Sequence, residues 1–351
     1  MPFKSDYPMQ MAFRVSISIL LMCLFAGCFS QHSSSPPVST VFAAGFSVNA
    51  AGFNVATLWR NGTATPLSDG TTHAAARACV AVGKDLYLAG YVRNASGKQV
   101  TTYWKNGTAR SISDGTTNSL ANGIAISGTD IHIVGREFNL AGKVVAMYWK
   151  NGIPMPLSDG STDGFAYSVA LLNSDIYVAG FVQNAAGVFV ATCWKNGVPS
   201  TLTDGAQMGK AYGVSIINGD VYVCGFKTNA AGVMTATAWK NGSPTFLSDG
   251  TAQADAFVPT LVGSDLYFAG YQANASGIWV ATYWKNGTLV PVSDGFYDAE
   301  IFGVVRVGAD LYTAGYEGNA SGGISAKMWK NGTPTLLAAE GEASAIVVVA
   351  E

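Results

Sequence analysis

The chain has 351 residues, of which 49% are hydrophobic and only 12% charged, with 41 glycines and a formal net charge of −2. This profile excludes an intrinsically disordered chain and fits a packed, turn-rich one. The near balance of 20 basic and 22 acidic side chains leaves no basic face of the kind nucleic acid demands.

In chain order, the first element is an export signal. Lys4 and Arg14 precede an apolar run from Val15 to Gly27. That run is too short to cross a bilayer core, which takes about 20 helical residues. A basic start, a short apolar core and small residues at its end read as a secretory signal. The stretch Leu24-Phe25-Ala26-Gly27-Cys28 resembles the lipobox of bacterial lipoproteins. The resemblance implies a signal peptide over residues 1–27 and lipidation of Cys28. Residues 28–37 then form a polar Ser/Pro tether. Ser30, where an acidic residue can hold such lipoproteins at the inner membrane, implies the outer membrane or cell surface.

From residue 38 to 351 one sentence is repeated. Gly45, Gly90, Gly135, Gly180, Gly225, Gly270 and Gly315 step by 45, and so do Trp59, Trp104, Trp149, Trp194, Trp239, Trp284 and Trp329. A rigid period of this size filled with strand formers predicts a seven-bladed β-propeller with four strands per copy. In the fourth copy, Ile176–Phe181 is a strand apolar on both faces, Asn184–Gly187 a turn, and Val188–Lys195 a second strand. Asn196-Gly197 makes a tight hairpin, because both residues tolerate positive φ. A short outer strand, Val198–Thr203, ends at Asp204-Gly205. After a variable segment, Tyr212–Ile217 forms the strand placed innermost. No stretch of the repeat region carries helical periodicity. The seven tryptophans are expected as core wedges between blades.

The repeat region begins with one strand type, Val41–Gly45, and ends with its hairpin partner, Ala345–Val349. Pairing them would build the seventh blade from both chain ends and remove two exposed edges. The Tyr-Val-Ala-Gly, Tyr-Trp-Lys-Asn-Gly and Leu-Ser-Asp-Gly pattern resembles repeats of uncharacterised exported bacterial proteins. It is also similar in layout to kelch repeats, although kelch has a Gly-Gly doublet where Gly90 here follows Ala89. The resemblance covers the whole repeat region and implies architecture.

Cys79, Cys193 and Cys224 fall in columns of apolar fillers and are expected as free, buried thiols. Triplets such as Asn61-Gly62-Thr63 match glycosylation acceptors but read as hairpin turns. Each Ser-Asp-Gly, as in Ser158-Asp159-Gly160, offers one carboxylate where calcium takes six or more oxygens, so a turn cap is expected. His132 replaces a strand tyrosine and is expected as a core residue. No Ser-His-Asp set, phosphate loop or metal-ligand cluster is found, and neither a cofactor nor a metal is expected.

Variation concentrates in the segment after each Asp-Gly, which makes it the natural recognition surface. The candidates are His73 and Arg77, Asn118 and Asn122, then Asp163, Phe165 and Tyr167. Lys210 and Tyr212, Asp255 and Phe257, and Asp298, Glu300 and Phe302 complete the set. Aromatics with mixed charges suit a protein or glycan ligand held by a monomeric, non-catalytic binding or scaffold module. The alternatives are a glycan-cleaving enzyme drawing on Asp163, Asp255, Asp298 and Glu300, and a structural envelope spacer.

Overall fold

A computed structural model describes residues 39–350. They form seven four-stranded antiparallel sheets and no helix. Six sheets are contiguous, spanning residues 74–111, 119–156, 164–201, 209–246, 254–291 and 299–338; these are blades one to six. The seventh joins Gly341–Ala350 to the strands between residues 39 and 66. Its register runs from Ser39 opposite Ala350 to Ser47 opposite Gly341, so the two ends of the repeat region share one sheet as the repeat predicts. The inner strands of neighbouring blades touch all the way round, and the strand from 341 to 350 closes on Ala74–Val82. The chain is a seven-bladed β-propeller. The signal, lipidation and tether assignments at residues 1–37 lie outside the described residues.

Blade three shows how the repeated residues produce this. Its strands are Gly164–Leu172, Asp175–Gln183, Phe189–Lys195 and Val198–Thr201, from the axis outward. Trp194 on the third strand is fully buried. Its indole N–H donates to the Leu157 carbonyl of the preceding blade at 2.8 Å. Trp59, Trp104 and Trp239 repeat this bond to Leu337, Leu67 and Leu202. The wedge therefore fills the space between blades and, in these four, ties them by a hydrogen bond to a backbone carbonyl.

Asn196 and Gly197 adopt φ of 52° and 82°, as the tight hairpin requires. The Asn196 amide also accepts from the Ile176 N–H and donates to Asp175, whose second oxygen pairs with Lys195 at 2.7 Å. In the Leu-Ser-Asp-Gly turns, Ser158 Oγ accepts from the Ala146 N–H and Asp159 accepts from the Ser161 N–H, both within the blade. Each Asp is a turn cap, as expected from its single carboxylate. The cysteines at 79, 193 and 224 are free, and burial pushes the Cys79 thiol up to about 12. His132 is buried with its Nδ1 2.7 Å from the Tyr148 hydroxyl.

Candidate functional site

The inner strands are longer than the sequence suggests, and the reason builds the site. Blade four's inner strand starts at Gly209 rather than Tyr212, because the ladder slips by one residue between Ala211 and Gly213. Tyr212 is a β-bulge, an extra residue left out of the pairing and turned toward the axis. The same slip isolates Arg77, Asn122, Tyr167, Phe257 and Phe302 in their blades, and Ser344 in the seventh. The repeated glycine is what admits it. A Cβ on Gly180 would stand 1.9 Å from the Phe165 carbonyl oxygen, so only glycine lets the second strand close against the bulged one.

His73, Asn118, Asp163 and Asp298 lie just before the inner strands, whereas Arg77, Asn122, Tyr167, Lys210, Tyr212, Asp255, Phe257, Glu300 and Phe302 sit on them, facing the channel. The latter border a cavity of about 750 Å³ on the axis. Around it the bulged side chains touch in sequence. Arg77 Nε donates to Asn122 Oδ1 at 3.1 Å, and Asn122 donates to the Ala166 carbonyl at 2.9 Å. Ring centroids then lie 5.0 Å apart for Tyr167 and Tyr212, 5.6 Å for Tyr212 and Phe257, and 5.2 Å for Phe257 and Phe302.

Two residues before each bulge lies a second tier: Ala75, Leu120, Phe165, Lys210, Asp255, Glu300 and Glu342. Its polarity changes around the ring, from apolar through one cation to three consecutive carboxylates. Lys210 Nζ lies 4.9 Å from the Phe181 ring centre and 5.1 Å from that of Phe189. Burial lowers the Lys210 pKa, while Asp255 raises it. Asp255 is only 4% exposed. Its carboxyl is held well above the usual carboxylate range, first by burial and then by the charge of Glu300. The Ala256 N–H, which donates to Asp255 Oδ1 at 2.8 Å, pulls the other way, as does Lys210. Burial pushes Glu300 up to about 7, with Glu342 and Asp298 adding to the rise and a hydrogen bond from Tyr316 opposing it.

The remaining candidates serve the backbone. His73 Nδ1, Asp163 and Asp298 accept the N–H groups of Asn54, Val144 and Trp279 at 3.0, 2.9 and 2.7 Å. Asn118 takes the Gln99 N–H in the same way. These residues pin the start of their inner strands to the third strand of the preceding blade. The carboxylate set invoked for glycan cleavage is thereby split, since only Asp255 and Glu300 of the four border the cavity. Among the described residues no group of three His, Cys, Asp or Glu side chains is gathered as a metal site would need.

Tyr271, Tyr316, Glu342 and Ser344 are among the cavity residues that did not stand out in the sequence. The two tyrosines sit on second strands, opposite Asp255 and Glu300. Glu342 and Ser344 were hidden because the last inner strand runs three residues ahead of the 45-residue register, so column alignment sets Val347 where Ser344 stands. The missing Ser-Asp-Gly turn before it accounts for the slip.

No protein-family model and no curated protein matches this sequence. Among solved structures, it is similar to a puromycin-hydrolysing peptidase of Mycobacterium tuberculosis, with a TM-score of 0.51 and 13% identity over 84% of this chain and 53% of that one. An acylaminoacyl peptidase of Pyrococcus horikoshii gives 0.52 and 13% over 85% of this chain and 50% of that one. The chain thus spans about half the length of both enzymes. The β-propeller domain of the Trilobed protease from Pyrococcus furiosus gives 0.51 and 13%, over 85% of this chain and 92% of that domain. The likeness is one of fold. That domain has an open velcro topology, whereas here the last strand pairs with the first.

Proposed function

We propose that this chain is a non-catalytic binding module of the bacterial cell envelope, exported by its N-terminal signal and anchored through a lipid on Cys28. Its ligand enters the axial channel and meets the bulged ring. One observation carries this: seven copies that agree at glycine, tryptophan and hairpin positions present seven different surroundings to one cavity. A spacer needs no such divergence on its axis, and a recognition site requires it. The kelch-like repeat then serves as a frame that holds variable side chains on rigid strands.

A screen of the folded domain against glycans and envelope proteins tests the assignment. Saturable binding that is lost on replacing Tyr167 and Tyr212 with alanine is expected. Binding that survives both replacements would move the site elsewhere. The glycan-cleaving alternative rests on Asp255 and Glu300, which stand on adjacent inner strands with raised pKa values. Glycan turnover abolished by either Asp255→Asn or Glu300→Gln would favour it.

A further inference from the structure

We infer that the acidic side of the channel binds an organic cation, an ammonium or guanidinium group carried on an aromatic or aliphatic body. This rests on the channel being the recognition site and names the ligand's chemistry. Asp255, Glu300 and Glu342 come from consecutive inner strands and border one cavity. Among the described residues, no ion pair within 4.0 Å reaches any of them. Asp255 is almost wholly buried, and its one hydrogen bond from a described residue comes from its own neighbour, Ala256. Lys210, the basic residue of the same tier, lies over Phe181 and Phe189. Arg77 is tied to Asn122.

Asp255 is buried with no ion pair within 4.0 Å, and Lys210 acts on it only from a distance, so its charged form is costly and a cation seated beside it would be favoured. The surrounding walls fit the same ligand. Tyr271 and Tyr316 stand opposite Asp255 and Glu300, Trp279 stacks on Tyr271 at 4.6 Å, and Phe257 and Phe302 pack in a tilted pair beside them. Aromatic faces attract a desolvated cation, and carboxylates add charge-assisted hydrogen bonds. A bare calcium or magnesium ion needs six or more oxygens and gains nothing from the rings. An anion would be repelled, and a neutral sugar would leave the charges unpaired.

Calorimetric titration with benzylamine, benzyl alcohol and benzoate tests this, because the three share size and ring but differ in charge. At pH 8 benzylammonium is expected to saturate with an affinity at least about tenfold above the other two. Asp255→Asn and Glu300→Gln keep side-chain volume, and each should weaken benzylammonium about tenfold with the fold intact by thermal melting. Affinity should also fall as pH drops from 8 to 6, as Glu300 takes up a proton among Tyr316, Asp255, Asp298 and Glu342. Equal or tighter binding of the alcohol or benzoate, or unchanged affinity in both variants, would overturn the inference. If such binding were lost in Tyr212→Ala, the channel would still stand as a recognition site. Silence with all three probes would overturn the cation assignment and leave the wider screen to judge the module.

Discussion

Trp194 fills space and makes a bond, and the two contributions can be separated. Truncation to alanine removes a fully buried indole and should destabilise the domain by about 3–5 kcal/mol in urea unfolding. Trp284 is equally buried, yet its N–H finds no partner among the described residues. Trp194→Phe should therefore cost about 1 kcal/mol more than Trp284→Phe. Equal losses would mean that the inter-blade hydrogen bond contributes nothing. Glu300 makes the opposite case, a residue that opposes stability. Its carboxyl rises from 4.5 to about 7 on folding. A carboxyl with a raised folded pKa favours the folded state fully below its unfolded pKa, and that advantage is lost as pH rises through the folded value. Melting temperatures of wild type and Glu300→Gln should thus converge near pH 4, diverge as pH rises from about 4.5 to 7, and hold that difference above it. At pH 8 the glutamine variant should be more stable, on the order of 2–3 kcal/mol. A glutamine variant less stable at pH 8 would contradict the buried, uncompensated charge.

Hairpins and bulges divide the labour within each blade. The Asn-Gly hairpin joins strands through Asn196, which accepts from Ile176, donates to Asp175 and holds a φ of 52°. Asn196→Ala loses both bonds and strains the turn, so about 1–2 kcal/mol should vanish. Lys195→Ala should change stability by no more than about 0.5 kcal/mol, because its ion pair with Asp175 is half exposed to water. A larger loss at Lys195 than at Asn196 would reverse that ranking. The hairpins were legible in the sequence because Asn-Gly has one low-energy geometry. The bulges were not, since nothing in Ala211-Tyr212-Gly213 announces a slipped register. Their only sequence trace is the glycine facing them on the second strand, and that glycine reads equally well as a packing residue. The site followed the same division. Arg77, Tyr167 and Tyr212 stood out by differing between copies, whereas Tyr271 and Tyr316 resemble their columns and gain meaning only opposite Asp255 and Glu300. His73 and Asp163 also differ from their columns, but they vary among acceptors that satisfy the same backbone amide.

Across the whole molecule, a closed ring converts seven weak sheets into one structure. A four-stranded sheet alone would expose both faces and two edges. Stacking around the axis buries the faces, and the outer edges are blunted by prolines such as Pro154, Pro156, Pro199 and Pro244, which cannot donate to another strand. The remaining weak point is where the ring closes, between Ser39–Val48 and Gly341–Ala350. The last strand also carries Glu342 and Ser344 into the channel, so closure and site depend on the same ten residues. Urea unfolding of a chain ending at Glu340, with and without a peptide of residues 341–351, tests this directly. The shortened chain should unfold at lower urea, and the peptide should restore a single cooperative transition near that of the whole chain. A shortened chain as stable as the full one, or a peptide without effect, would contradict closure by the two chain ends.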